Sequence, residues 1–285
     1  MGTYLRPSTL SQALVALAES SASGRSLTIL AGATDYYPAR VGHVADDDIL
    51  DLSGLSDLRG VRAVQGGWLI PALTTWTDLA DAPLPPLFDG LRLAARAIGG
   101  RQIQNRATVV GNLANASPAA DGTPNLLVLD AQVSLVSTAG ERRLPLAQFV
   151  TGNRSTIRQM DELLTGIFVP EPPRGTLTRS TFLKLGSRTY LVISIAMVAA
   201  VLMIDDHGRV AGARVAVGAC SPVARRLPGL EAELIGRSAT TGIGEAVGPE
   251  HLADLTPIDD VRASATYRLE AAETLVRRAL EVLVS

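Results

Sequence analysis

Three prolines and a glycine fall within six residues, Pro170 to Gly175, in the stretch LLTGIFVPEPPRGTLTR. Proline fixes φ and lacks a backbone donor, so neither a helix nor a central strand can run through such a cluster. The cluster therefore marks a domain boundary near residues 170 to 178, and the expected domains are 1–174 and 178–285. Apolar residues make up 47% of the chain and charged residues 19%, enough for each part to bury a core.

The residues before the boundary read as alternating helices and strands. Thr9 and Gln12 stand at capping-box spacing ahead of Leu10, Leu14 and Leu17 on one stripe, and Gly24 closes this helix. SLTIL is a strand that runs into the turn AGATD, and DDILDLSGL is a further strand. GGWLIPALTTWTDLAD gives a strand and a Thr-capped helix, and Pro85 and Pro86 head a helix that carries Leu87, Leu91 and Ala94 and ends at Gly99. A short strand is expected over Ala107 to Val110, a loop over Gly111 to Thr123, a helix begun by Pro124, and a hairpin turning at Gly140. Beyond the boundary, strands are expected over Arg179 to Leu185, Leu191 to Ile204 and Arg209 to Gly218. Helical patterns then follow in RRLPGLEAELIGR and YRLEAAETLVRRALEVLVS, so this part reads as a small antiparallel sheet with a helical layer.

Several functions are excluded. Lys plus Arg number 26 and Asp plus Glu 28, with the signs mixed along the chain, so no basic face for nucleic acid is evident. The single cysteine, Cys220, permits neither an internal disulfide nor a thiolate cluster on this chain alone, and it reads as a small packed residue. The apolar run Tyr190 to Ile204 would reach only about 22 Å as a helix, short of a bilayer core of about 30 Å, and reads as a buried strand. The N-terminus does not read as a secretory signal, and a cytoplasmic protein is expected. His43, His207 and His251 are far apart in polar, loop-like sequence and read as surface residues, with no metal-ligand spacing among them. Neither a Gly-x-Ser-x-Gly elbow nor a Gly-x-x-x-x-Gly-Lys phosphate loop is present.

What remains is two loops of small residues, each expected to leave a strand: Ala31 to Asp35 and Val110 to Asp121. Successive N–H groups in such turns form nests that hold anions, and small side chains let the backbone approach a phosphate closely. Asn112, Asn115, Ser117 and Asp121 add polar side chains without positive charge. Both a cofactor phosphate site and an ordinary asparagine-rich turn fit these residues.

AGATDYYPAR, the long IGGRQIQNRATVVGNLANASPAADGTPNLLVLDAQVSLVSTAGERRLPLAQFVTG segment and FLKLGSR together resemble the FAD-binding medium subunit of molybdenum hydroxylases. That family includes the flavoprotein subunits of bacterial xanthine and carbon monoxide dehydrogenases. The resemblance spans nearly the whole chain. It implies an α+β fold, with a vanillyl-alcohol-oxidase-type (PCMH-like) FAD-binding domain of two α+β subdomains, about 1–54 and 55–174. A C-terminal domain like that of carbon monoxide dehydrogenase flavoprotein would follow, an antiparallel sheet plus helices. By position, the backbone of Ala31, Gly32, Ala33, Thr34 and Asp35 would wrap the FAD pyrophosphate. Thr108, Gly111, Asn112, Ser117 and Asp121 would face the flavin and diphosphate, the acidic residue being suited to ribose hydroxyls. Lys184 would lie near the cofactor, and Phe182 against the flavin ring.

The resemblance also implies an electron-transfer role beside an iron-sulfur (2Fe-2S) subunit and a large molybdenum-cofactor subunit, as a heterotrimer or a dimer of heterotrimers. FAD would collect electrons from the clusters and pass them to NAD, oxygen or another acceptor, with no catalytic acid or base on this chain. The family commonly writes A-G-G-T-D where Ala33 stands and T-I-G-G-N where Val110 stands. A left-handed φ at either position would cost Ala roughly 1–2 kcal/mol and a β-branched Val more. Two rival expectations follow: a flavin-free structural or assembly subunit, and a stand-alone flavin oxidase.

Overall fold

The computed structural model describes residues 2–42 and 46–285, so the expectation for His43 lies outside the described residues. The chain opens with β1 (Tyr4–Leu5), α1 (Leu10–Ala22), β2 (Thr28–Leu30) and β3 (Ile49–Asp51). These strands are parallel in the order β1-β3-β2, with Tyr4 and Thr28 flanking Ile49. Thr9 starts α1 by accepting a hydrogen bond from the Gln12 N–H, and Gly24, at φ +68, lies just past its end. Ala13, Leu14 and Leu17 then pack against Leu27, Leu50 and Leu52. The strand expected over DDILDLSGL stops at Asp51. There the Asp51 carboxylate accepts the Ser53 N–H at 2.8 Å and turns the chain into a 3-10 turn, Leu52–Gly54.

A second unit contains β4 (Arg62–Val64), β5 (Gly67–Pro71), α2 (Trp76–Asp81), α3 (Asp89–Ala97), α4 (Arg101–Gln104), α5 (Val109–Ala114) and α6 (Gly122–Val128). It continues with β6 (Gln132–Ser137), β7 (Gly140–Pro145), the hairpin of β8 (Val150–Gly152) and β9 (Ser155–Thr156), and β10 (Leu163–Pro170). Strands β4-β5-β10-β6-β7 form one antiparallel sheet. Helical residues such as Trp76, Leu91, Leu113 and Leu126 bury against Ile70, Val133 and Ile167 of the sheet. Thr75 and Asp78 form a reciprocal capping box at the start of α2.

The strand expected over Ala107 to Val110 is instead a helix start. Thr108 makes only a one-residue bridge with Thr75, and its hydroxyl accepts the Gly111 N–H at 2.9 Å, capping α5. A capped first turn satisfies more backbone donors than a strand with no further partner, so the two valines enter the helix. The loop expected over Gly111 to Thr123 shrinks accordingly, and α6 begins at Gly122 with Pro124 inside its first turn.

The third unit is β11 (Leu177–Leu185), β12 (Ala196–Ile204), β13 (Val210–Gly218) and β14 (Arg225–Arg226), antiparallel in that order, covered by α7 (Pro228–Leu234) and α8 (Ala265–Val284). All nine residues of β12 are buried. Met197, Ala199 and Val201 point into the core shared with the second unit, and Ala196, Val198, Ala200 and Leu202 into a core closed by α7 and α8. That double burial accounts for the uninterrupted apolar run.

The strand expected from Leu191 begins only at Ala196. Leu191 is left-handed at φ +52, and its carbonyl accepts from the Arg188 guanidinium, which turns the chain before the ladder starts. His251 is also not the surface residue expected. Its Nδ1 accepts the Gly248 N–H at 3.0 Å and its Nε2 meets Glu233 at 3.1 Å, so the ring is a largely buried cap of a 3-10 turn. His207 is exposed in the β12–β13 turn. Cys220 is fully buried, and burial pushes its thiol up to about 11. Among the described residues, no helix is long and apolar enough to cross a membrane.

Candidate functional site

Residues 31–35 leave β2 as a turn that presses against the segment ahead of α5. A Cβ on Gly32 would lie 2.0 Å from the Arg106 carbonyl oxygen and 2.7 Å from its carbon, so only glycine allows the approach. Ala33 follows at φ +56, which costs an L-residue about 1–2 kcal/mol. Among the described residues, Gly32, Ala33, Thr34 and Asp35 donate no backbone hydrogen bond. A turn with a left-handed residue and four free N–H groups has the character of an anion nest.

Val110 has no such strain. It is not among the described non-glycine residues with positive φ; it occupies the second position of α5 and is 3% exposed. The bend expected there is absent because Thr108 redirects the chain one turn earlier.

The turn and α5 face one another across a cavity of about 590 Å³, within the ordinary range for a small-molecule site. Ala31, Gly32, Ala33, Thr34, Asp35, Thr108, Gly111 and Asn112 all line it. Ser117, Asp121 and Lys184 lie outside that lining. The Ser117 hydroxyl accepts the Ala119 N–H, and Asp121 is 4% exposed with both carboxylate oxygens engaged. Lys184 Nζ donates to Asp121 Oδ2 at 2.6 Å and the Ser194 hydroxyl to Oδ1 at 2.5 Å. Burial pushes the Asp121 carboxyl above its ordinary value, opposed by the ammonium and the hydroxyl. Phe182 is buried in the core shared by the second and third units.

Other cavity residues carried no signal as ligands in the sequence. Tyr36, Arg40, Trp76 and Arg158 also line it. Arg40 stacks on the Tyr36 ring at 3.9 Å and pairs with Asp47 at 2.8 Å. Arg158 is far along the chain, and only the fold brings it here. Its Nη1 donates to the carbonyls of Gln159 and Glu162, each at 2.8 Å.

Trp76 Nε1 and Asn112 Oδ1 are buried with no partner among the described residues. Each costs about 1–3 kcal/mol while unpaired. Among the described residues, no group of His, Cys, Asp or Glu is arranged to hold a metal ion. The free N–H groups and the close-approach glycine suit a long anionic cofactor that brings its own reactivity. FAD is a cofactor of that kind.

The architecture and cleft thus define a cofactor-binding module attached to a second α+β layer, and comparison with known proteins gives the family. Residues 1–172 match the FAD binding domain in molybdopterin dehydrogenase, and residues 181–283 match the CO dehydrogenase flavoprotein C-terminal domain. The chain belongs to this family of FAD-binding molybdopterin dehydrogenase subunits. A putative xanthine dehydrogenase FAD-binding subunit of Escherichia coli K12 is 30% identical over 289 residues, covering 99% of this chain and 96% of the relative. The carbon monoxide dehydrogenase medium chain of Hydrogenophaga pseudoflava is 27% identical, covering 97% and 95%. A solved carbon monoxide dehydrogenase from H. pseudoflava superposes with a TM-score of 0.87 at 26% identity, covering 99% of this chain and 96% of that one.

Proposed function

We propose that this chain is the FAD-binding electron-transfer subunit of a multi-subunit molybdenum-containing hydroxylase or dehydrogenase. It takes electrons from an iron-sulfur (2Fe-2S) subunit, which receives them from a large molybdenum-cofactor subunit, and passes them to NAD, oxygen or another acceptor. We take the assembly to be a cytoplasmic heterotrimer or dimer of heterotrimers, and the chain's domains to be 1–174, with subdomains about 1–54 and 55–174, and 178–285. The observation that carries this reading is the convergence of two small-residue segments, 31–35 and 108–112, on one cavity whose first wall offers unpartnered N–H groups.

Bound FAD supplies the redox chemistry, and the protein supplies position and electrostatics. The N–H groups of Gly32 to Asp35 would hold the diphosphate, while Arg40 and Arg158 add positive potential to the same cavity. Ser117, Asp121 and Lys184 would act nearer the junction with the third unit, the Asp121–Lys184 pair fixing the registry of the two parts.

The test is expression of the chain alone and with its partner subunits. The expected result is a yellow protein with one FAD per chain that copurifies with iron-sulfur and molybdenum subunits and whose flavin bleaches when the complex is given substrate. A folded chain that stays colourless in excess FAD would favour the flavin-free assembly role. A chain whose flavin is reduced by a small substrate without partners would favour the stand-alone oxidase.

A further inference from the structure

The hairpin of β8 and β9 reaches back to the cavity through one side chain. Arg154, at its turn, donates from Nη1 to Asp35 Oδ2 at 2.7 Å, and the same nitrogen meets the Asn115 side-chain oxygen. Asp35 and Asn115 both line the cavity, one on the first turn and the other at the end of α5. The hairpin is itself tied down, since the Arg154 N–H donates to the Ala116 carbonyl at 2.9 Å. Of the six described non-glycine residues with positive φ, three meet here: Ala33 at +56, Ala116 at +48 and Arg154 at +57. Left-handed residues of this kind persist where the surroundings hold them, and they gather at binding sites.

The charges give the contact a purpose. Asp35 places a carboxylate beside N–H groups suited to a diphosphate, and an unpaired carboxylate there would repel the ligand. Arg154 cancels that charge without occupying the nest, and it also joins the turn to the end of α5.

We propose that Arg154 is a positioning residue for the cofactor: it neutralises Asp35 at the mouth of the nest and clamps the 31–35 turn to the end of α5, slowing the release of FAD. This inference rests on the FAD-binding reading above. The pair is about half exposed, with side-chain exposures of 52% and 59%, so its effect belongs at the upper end of what exposed pairs give rather than in the range of buried ones.

The test measures FAD release from the loaded protein by the recovery of flavin fluorescence, at low and high salt. Arg154→Ala is expected to release FAD about five- to tenfold faster at low salt, with a smaller difference at high salt. Arg154→Lys keeps the charge and should stay within about threefold of the parent protein. The deciding variant is Arg154→Ala with Asp35→Asn, which restores no contact but removes the unpaired carboxylate. It is expected to recover the part of the loss that comes from the charge, whereas a purely structural arginine would give no recovery. Arg154→Ala releasing FAD at the parent rate, or the double variant releasing as fast as Arg154→Ala, would overturn the proposal. A parent protein that takes up no FAD would instead overturn the reading on which it rests.

Discussion

At Gly32 and Ala33, neighbours in one turn, a Cβ is disfavoured for two different reasons. A methyl on Gly32 would run into the backbone of Arg106, and backbone cannot swing aside as a flexible side chain can. Gly32→Ala is therefore expected to lose about 3 kcal/mol or more and to come out of purification with little FAD. Urea unfolding and flavin absorbance per chain check the two parts. Ala33 already bears a left-handed φ, and Ala33→Gly removes that strain while giving the unfolded chain more freedom. The balance is a gain of about 0.5–1 kcal/mol, seen as a higher urea midpoint at an unchanged slope. A midpoint at or below that of the parent protein would show that the turn holds Ala33 without net strain.

At the scale of the element, α5 depends on its cap. It has only six residues, Thr108 is 4% exposed, and its hydroxyl accepts the Gly111 N–H, which has no other acceptor among the described residues. Thr108→Ala is expected to cost about 1–2 kcal/mol, and Thr108→Ser to restore most of it, in the same unfolding assay. If the Ala variant matched the parent protein, packing of Val109, Val110 and Leu113 would be holding α5 without its cap. This element also shows what was legible in the sequence. The small residues and the asparagines of the cradle could be read because their chemistry is local. The helix could not, because valines favour strands and the cap replaces a pairing that only the tertiary structure denies them. Tyr190 to Ile204 misled in the same way: its composition is that of a strand throughout, but the left-handed Leu191 and the hydroxyl of Ser194, held by Asp121, reserve its first third for a turn. Arg154 and Arg158 gave no signal, since neither lies within a motif and only folding brings them to the cavity.

At the scale of the whole molecule, the proline cluster divides the sequence more sharply than it divides the structure. One face of β12 packs into the core of the second unit and the other under α7 and α8. Beside that seam, Lys184 of β11 holds Asp121, whose carboxylate is almost wholly buried. Removing one partner of such a pair leaves a charge without compensation, so Lys184→Met is expected to cost about 3–5 kcal/mol at neutral pH. The loss depends on pH. Without the ammonium, desolvation raises the Asp121 carboxyl further, so the folded state holds its proton more tightly than the unfolded chain, where an Asp titrates near about 3.9. The penalty should be small below about pH 4 and should grow as pH rises through the raised folded value. Asp121→Asn in the same chain removes the titrating group, and the double variant should recover much of the stability and lose the pH dependence. Urea midpoints of the parent protein and both variants across that range decide the matter. An equal loss at every pH, or a double variant no better than Lys184→Met, would mean that Lys184 serves through its packing and that charge does not join the two parts.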